Sequence, residues 1–120
     1  MFSARLFEEL AINDRLKKSL EKNNLKRMTR VQQAGIPEIL SQKSIAIKSE
    51  TGSGKTLTYL IPILSALASK EKQIKREDGV FSVVLCPSRE LCMQIQEQAT
   101  LLTKSLIWIV PGAIMGGENP

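Results

Sequence analysis

The chain of 120 residues carries 17 Lys and Arg against 12 Asp and Glu, a net charge of +5, and 42% of it is hydrophobic. That supports one modest core, argues against wholesale disorder, and favours an anionic partner, whether nucleotide, nucleic acid or acidic protein. With no histidine in the chain, Ser–His and Cys–His nucleophilic catalysis is excluded.

In chain order, the apolar spacing over residues 6–25 predicts an amphipathic helix, with Asn13 or Asp14 able to cap a fresh start before Leu16. The opening residues faintly resemble a transit peptide, but Glu8 and Glu9 follow at once and such peptides are poor in acids. Thr29 with Gln32 three residues later is a capping-box signature, which predicts a helix from Arg30 towards Leu40, bent or interrupted at Pro37. Residues 44–48 read as a short buried strand. A helix over 56–68 follows, with Pro62 expected to kink it. Residues 69–79 are a charged surface loop, with a solvated face preferred over a nucleic-acid contact. A second buried strand at 81–86 ends at Pro87. Ser88 caps a helix from Arg89 to about Ser105, a third strand spans 106–110, and the tail from Gly116 is loop. Cys86 and Cys92 match no metal spacing and read as reduced core thiols of an intracellular protein. No apolar run reaches the ~18–20 residues of a membrane span, so a soluble, unprocessed chain is expected.

The order, two helices and then β-α-β-α-β, implies a parallel sheet with right-handed crossovers. Between its first strand and the following helix lies Lys48-Ser49-Glu50-Thr51-Gly52-Ser53-Gly54-Lys55-Thr56. Strand, glycine loop and helix are the setting of a phosphate-binding P-loop. Gly52 and Gly54 let successive N–H groups converge, and the helix start adds its unpaired amides and positive dipole end. Lys55 supplies a cation for the β- and γ-phosphates, and the Thr56 hydroxyl is placed for Mg²⁺. The strict pattern wants glycine where this chain has Ser49. The bland alternative is a glycine-rich turn beside a solvated lysine.

Four motifs in fixed order resemble the DEAD-box RNA helicases. Thr51-Gly52-Ser53-Gly54-Lys55-Thr56 resembles motif I, and residues 24–32 resemble the Q motif, matching at Thr29 and Gln32. There the family writes glycine, an aromatic and proline where this chain has Asn24, Leu25 and Met28. Pro87-Ser88-Arg89-Glu90-Leu91 resembles motif Ia, and Gly116-Gly117 the GG element. Phe7 stands where the family places an isolated upstream aromatic. The resemblance covers nearly the whole chain. Shorter phrases, among them Asp78-Gly79 and Trp108-Ile109-Val110-Pro111-Gly112, resemble the nucleolar members that assemble the large ribosomal subunit.

The resemblance implies a P-loop NTPase of the RecA-like α/β kind, about half of the first helicase domain. Residues 5–33 would be the N-terminal helix and Q motif, and 34–120 the partial ATP-binding domain. It implies ATP and Mg²⁺ as cofactors. Gln32 would read adenine and Phe7 pack on the base. Thr29 would link the Q motif to the P-loop, and Thr51, Gly52, Ser53, Gly54, Lys55 and Thr56 would hold phosphate, with Thr56 on the metal. For Gln32 the capping role and adenine reading stand side by side. Pro87, Ser88, Arg89, Gly116 and Gly117 would touch RNA phosphates, a grip without base code. The implied RNA is a ribosomal precursor, the compartment the nucleus or nucleolus, and the full-length form a monomer.

Two expectations of different class remain. No D-E-A-D sequence ends a strand beside the P-loop, and no second RecA-like domain follows. The chain is therefore either part of an ATP-dependent RNA helicase or a truncated nucleotide-binding product, and in isolation no turnover is expected. A GTPase would carry N-K-x-D, which is absent.

Overall fold

The computed structural model describes residues 2–49, 54–70, 75 and 78–114. The chain begins with β1, Phe2–Leu6, which pairs antiparallel with the short β2, Arg27–Thr29. Phe2 lies opposite Thr29 and Leu6 opposite Arg27, so β1 carries extra residues between those pairs and is bulged. A single turn of 3₁₀ helix, Phe7–Glu9, follows β1. The expected helix over 6–25 therefore starts only at α1, Asp14–Lys22, where the Asn13 side chain accepts from the amides of Arg15 and Leu16. Asn13 won as start signal because it satisfies two otherwise orphaned amides at once.

α1 ends in a Schellman turn. The Leu25 amide donates to the Leu20 carbonyl at 2.9 Å and that of Asn24 to Glu21 at 3.0 Å, with Asn24 at φ +59°. Asparagine tolerates the left-handed region best after glycine, so Asn24 does the work of the glycine that the resembled motif carries there. α2, Arg30–Leu40, starts at Thr29 and runs through Pro37 without interruption, closing on a similar turn with Gln42 at φ +64°. α3 is Lys55–Ala68, with Pro62 buried inside it, and α4 is Arg89–Leu102, capped by Ser88.

The main core gathers Leu16 and Leu20 of α1, Ile36 of α2, Ile61 of α3 and Leu102 of α4. Polar ties cross it. The Asn13 amide donates to Ser65 Oγ at 2.9 Å, and Ser19 Oγ donates to the Leu102 carbonyl at 2.8 Å. A second small cluster, Leu60, Ile95 and Ala99, joins α3 to α4.

The three expected strands pair with nothing among the described residues. Residues 44–48 and 81–86 run as unpaired chain. Residues 106–110 form a turn, with the Ile109 amide donating to Leu106 at 2.9 Å and both side chains buried. Within 81–86 the alternation of a strand survives. Val84 and Cys86 pack on the second cluster, while Val83 and Leu85 are 71% and 92% exposed. A parallel strand needs ladder neighbours and cover on both faces. Helices cover one face here, and no ladder supplies the rest. Gly79 sits at φ +84°, and part of the charged loop, 71–74 and 76–77, lies outside the described residues.

Candidate functional site

The site is built where α2 and α3 begin. Thr29 is the last residue of β2 and the cap of α2, so strand and helix fix its position together. Its hydroxyl accepts from the Gln32 amide at 3.3 Å, and Gln32 Oε1 accepts from the Thr29 amide at 2.8 Å. That is the capping box read from the sequence. The other end of the Gln32 side chain crosses to the next helix, where Nε2 donates to the Gly54 carbonyl at 3.2 Å. Donor meets acceptor at both ends, which fixes the orientation of the amide.

Gly54 caps α3 at φ +94°, a conformation that glycine adopts freely and other residues rarely do. Space demands glycine as well. A Cβ here would stand 2.5 Å from Gln32 Nε2 and 2.9 Å from Thr29 Oγ1. Lys55 opens α3, and its ammonium donates to the Ser49 carbonyl at 2.6 Å, which turns the side chain back towards residue 49. Thr56 is half-buried, and the hydroxyl of nearby Tyr59 is pushed above its usual range by burial, against an opposing pull from the Thr56 side chain. Thr51, Gly52 and Ser53 lie outside the described residues.

A hydroxyl such as that of Thr56 is the hard oxygen donor that Mg²⁺ takes. One hydroxyl is not a site by itself. Among the described residues no group of three or more His, Cys, Asp and Glu is placed to hold a metal. The donor set therefore fits an ion that arrives with phosphate oxygens.

Two further sets of expected residues are placed differently. Pro87, Ser88 and Arg89 form the exposed start of α4, with Ser88 Oγ accepting from the Leu91 amide at 3.2 Å. Gly116 and Gly117 lie outside the described residues. Phe7 is 2% exposed and belongs to the main core with Leu10, Leu16 and Met28. The cysteines are free and half-buried, and desolvation and the neighbouring Cys92 raise the Cys86 thiol.

Sequence reasoning missed Gly35 and Thr58. A Cβ on Gly35 would meet the Thr58 methyl at 2.5 Å, and Thr58, fully buried, donates from Oγ1 to the Gly54 carbonyl at 3.1 Å. A lone glycine inside an otherwise helical pattern was the available signal.

The fold resembles the crystal structure of the RNA helicase Prp28 from Chaetomium thermophilum bound to ADP, with a TM-score of 0.81 at 29% identity over 96% of this chain and 28% of that one. That defines the class, a RecA-like α/β domain of which the described residues are a part. The DEAD/DEAH box helicase family model matches residues 29–120, and the chain belongs to that family. It is 41% identical over 120 residues to DEAD-box ATP-dependent RNA helicase 17 of Oryza sativa subsp. japonica, covering 99% of this chain and 20% of that protein. Against the ATP-dependent RNA helicase DBP7 of Scheffersomyces stipitis it is 46% identical over 119 residues, covering 97% of this chain and 16% of the relative. The chain thus spans a fifth or less of these relatives.

Proposed function

We propose that this chain is the nucleotide-binding N-terminal part of a DEAD-box RNA helicase, and that it binds ATP with Mg²⁺ through the loop leading into α3. The observation that carries this reading is the bridge from Thr29 through Gln32 to Gly54. A planar amide acceptor-donor pair is the chemistry that reads an adenine edge. Gln32 spends one lone pair and one N–H on its two bonds and keeps one of each, the complement needed for adenine N6 and N7. Base reading therefore requires no break in the cap. Gln32 is buried, so nucleotide binding must uncover it.

In this reading Lys55 leaves the Ser49 carbonyl for the β- and γ-phosphates, and the Thr56 hydroxyl meets the metal. Thr51, Gly52 and Ser53 supply amides. The exposed start of α4, at Pro87, Ser88 and Arg89, with Gly116 and Gly117, grips RNA phosphates, so binding is sequence-independent and falls steeply with salt. Residues 5–33 serve as the N-terminal helix and Q motif, and 34–120 as the partial ATP-binding domain. The short phrases shared with nucleolar members favour a ribosomal RNA precursor as substrate, the nucleolus as compartment, and a monomeric full-length protein. No acid in the described residues ends a strand beside the loop to hold Mg²⁺ and water, so the 120 residues alone turn over no ATP.

The test is nucleotide affinity. Titration of the chain with fluorescent ADP and GDP is expected to show an adenine preference that Gln32→Ala removes. An unchanged preference in Gln32→Ala takes base reading away from that residue. RNA-stimulated ATP hydrolysis by the chain, above a Lys55→Ala control, overturns the expectation of no turnover.

A further inference from the structure

The Gly54 carbonyl receives three donors. Gln32 Nε2 stands at 3.2 Å, Thr58 Oγ1 at 3.1 Å, and the Thr58 backbone amide, the regular helical partner, at 3.4 Å. A carbonyl oxygen has two lone pairs, and the two side chains hold the shorter bonds. Threonine hydroxyls commonly back-bond to the carbonyl four residues earlier, and in most helices that is local packing only. Here the carbonyl belongs to the left-handed cap glycine, and it also holds the amide of Gln32 from another helix. Thr58 itself is held from the far side. Its methyl abuts Gly35 of α2, at a spot where any Cβ would overlap it. Methyl against Gly35 and hydroxyl against Gly54 leave the side chain one orientation. Among the described residues no buried side-chain nitrogen or oxygen lacks a partner, so the network is complete as it stands.

We propose that Thr58 is a positioning residue for base selection: wedged against Gly35, its hydroxyl fixes the Gly54 carbonyl, and that carbonyl aims the Gln32 amide. Thr58 touches no nucleotide in this arrangement. It acts through Gly54, and its effect falls on which base is accepted. The base-selection half rests on the adenine reading given to Gln32 above, while the positioning half concerns contacts within the chain and stands apart from it.

Three variants of the chain test both halves. Thr58→Val keeps the methyl and shape but removes the hydroxyl, Thr58→Ser keeps the hydroxyl, and Gln32→Ala is the reference for lost reading. The first readout is the Gln32 side-chain NH₂ pair in the NMR spectrum without nucleotide. It is expected to move in Thr58→Val and to stay near its place in Thr58→Ser. The second is the ratio of ADP to GDP affinity, expected to fall about fivefold in Thr58→Val, one neutral hydrogen bond's worth, and to be restored in Thr58→Ser. An unmoved NH₂ pair in Thr58→Val overturns the proposal. So does a moved pair with a preserved ADP preference that Gln32→Ala abolishes. If Gln32→Ala leaves the preference intact, adenine reading by Gln32 fails and base selection by Thr58 falls with it. The NH₂ pair still decides whether Thr58 holds the amide. Circular dichroism on each variant separates loss of fold from loss of aim.

Discussion

At Gly54 three demands meet on one residue. The backbone needs φ +94°, the space for a Cβ is taken by Gln32 and Thr29, and the carbonyl carries the bridge between two helices. Gly54→Ala should therefore cost about 2–4 kcal/mol in urea unfolding, from left-handed strain plus displacement of the Gln32 amide. It should also abolish detectable ADP binding. Ordinary stability with ADP binding retained would show that the loop relaxes around a side chain. Gly54, Thr29 and Gln32 were all legible in the sequence, because motif spacing and capping chemistry are local. The burial of Phe7 was not legible, for the opposite reason. An aromatic at a motif position carries no sign of how deeply its ring is buried, and here Phe7 packs in the main core with Leu10, Leu16 and Met28.

At the scale of elements, the starts of α1, α2 and α4 were readable, since Asn13, Thr29 and Ser88 each cap through their own side chain. The stops were less so. Gln42 sits at φ +64°, where glutamine is strained, and its side chain is exposed. Gln42→Gly should raise stability by about 0.5–1 kcal/mol, visible as a higher melting temperature; a fall would mean the side chain contributes a contact that outweighs the strain. Gly35 sets the approach of α2 to α3. Alanine ordinarily favours a helix over glycine by about 1 kcal/mol, but Gly35→Ala should destabilise, because the new methyl lands on that of Thr58. Combining it with Thr58→Ser, which removes the opposing methyl, should recover much of the loss. Purely additive losses in this double-mutant cycle would place the strain elsewhere. β1 was invisible beforehand. Its partner is three residues long and lies beyond a whole helix, and nothing in 2–6 alternates strongly enough to announce a strand.

Across the whole molecule, the segments with the composition of strands behave as half-covered chain. Val83, Leu85, Ile107 and Val110 are all more than two-thirds exposed. Their residue types announced β-structure correctly as a preference. A ladder, however, is a relation between segments, and strand composition cannot supply the neighbour. Apolar unpaired chain such as 81–86 invites pairing with another copy. The 120-residue chain should therefore self-associate as concentration rises in sedimentation velocity. Val83→Lys with Leu85→Lys should return it to monomer without loss of helical signal. A wild-type chain that stays monomeric throughout would show that the exposed row is harmless.

The pairing of Phe2 with Thr29 has a practical side. The strand that leads into the chain lies alongside the residue that caps α2, and Ser3 Oγ donates to the Met28 carbonyl at 3.1 Å. Whatever polypeptide is joined ahead of Phe2 is therefore attached to a strand one hydrogen-bonded step from the Gln32 bridge. Affinity tags and cleavage scars at that end should thus perturb the proposed nucleotide site. Binding constants measured with different N-terminal fusions should disagree with one another, while C-terminal fusions leave this strand untouched.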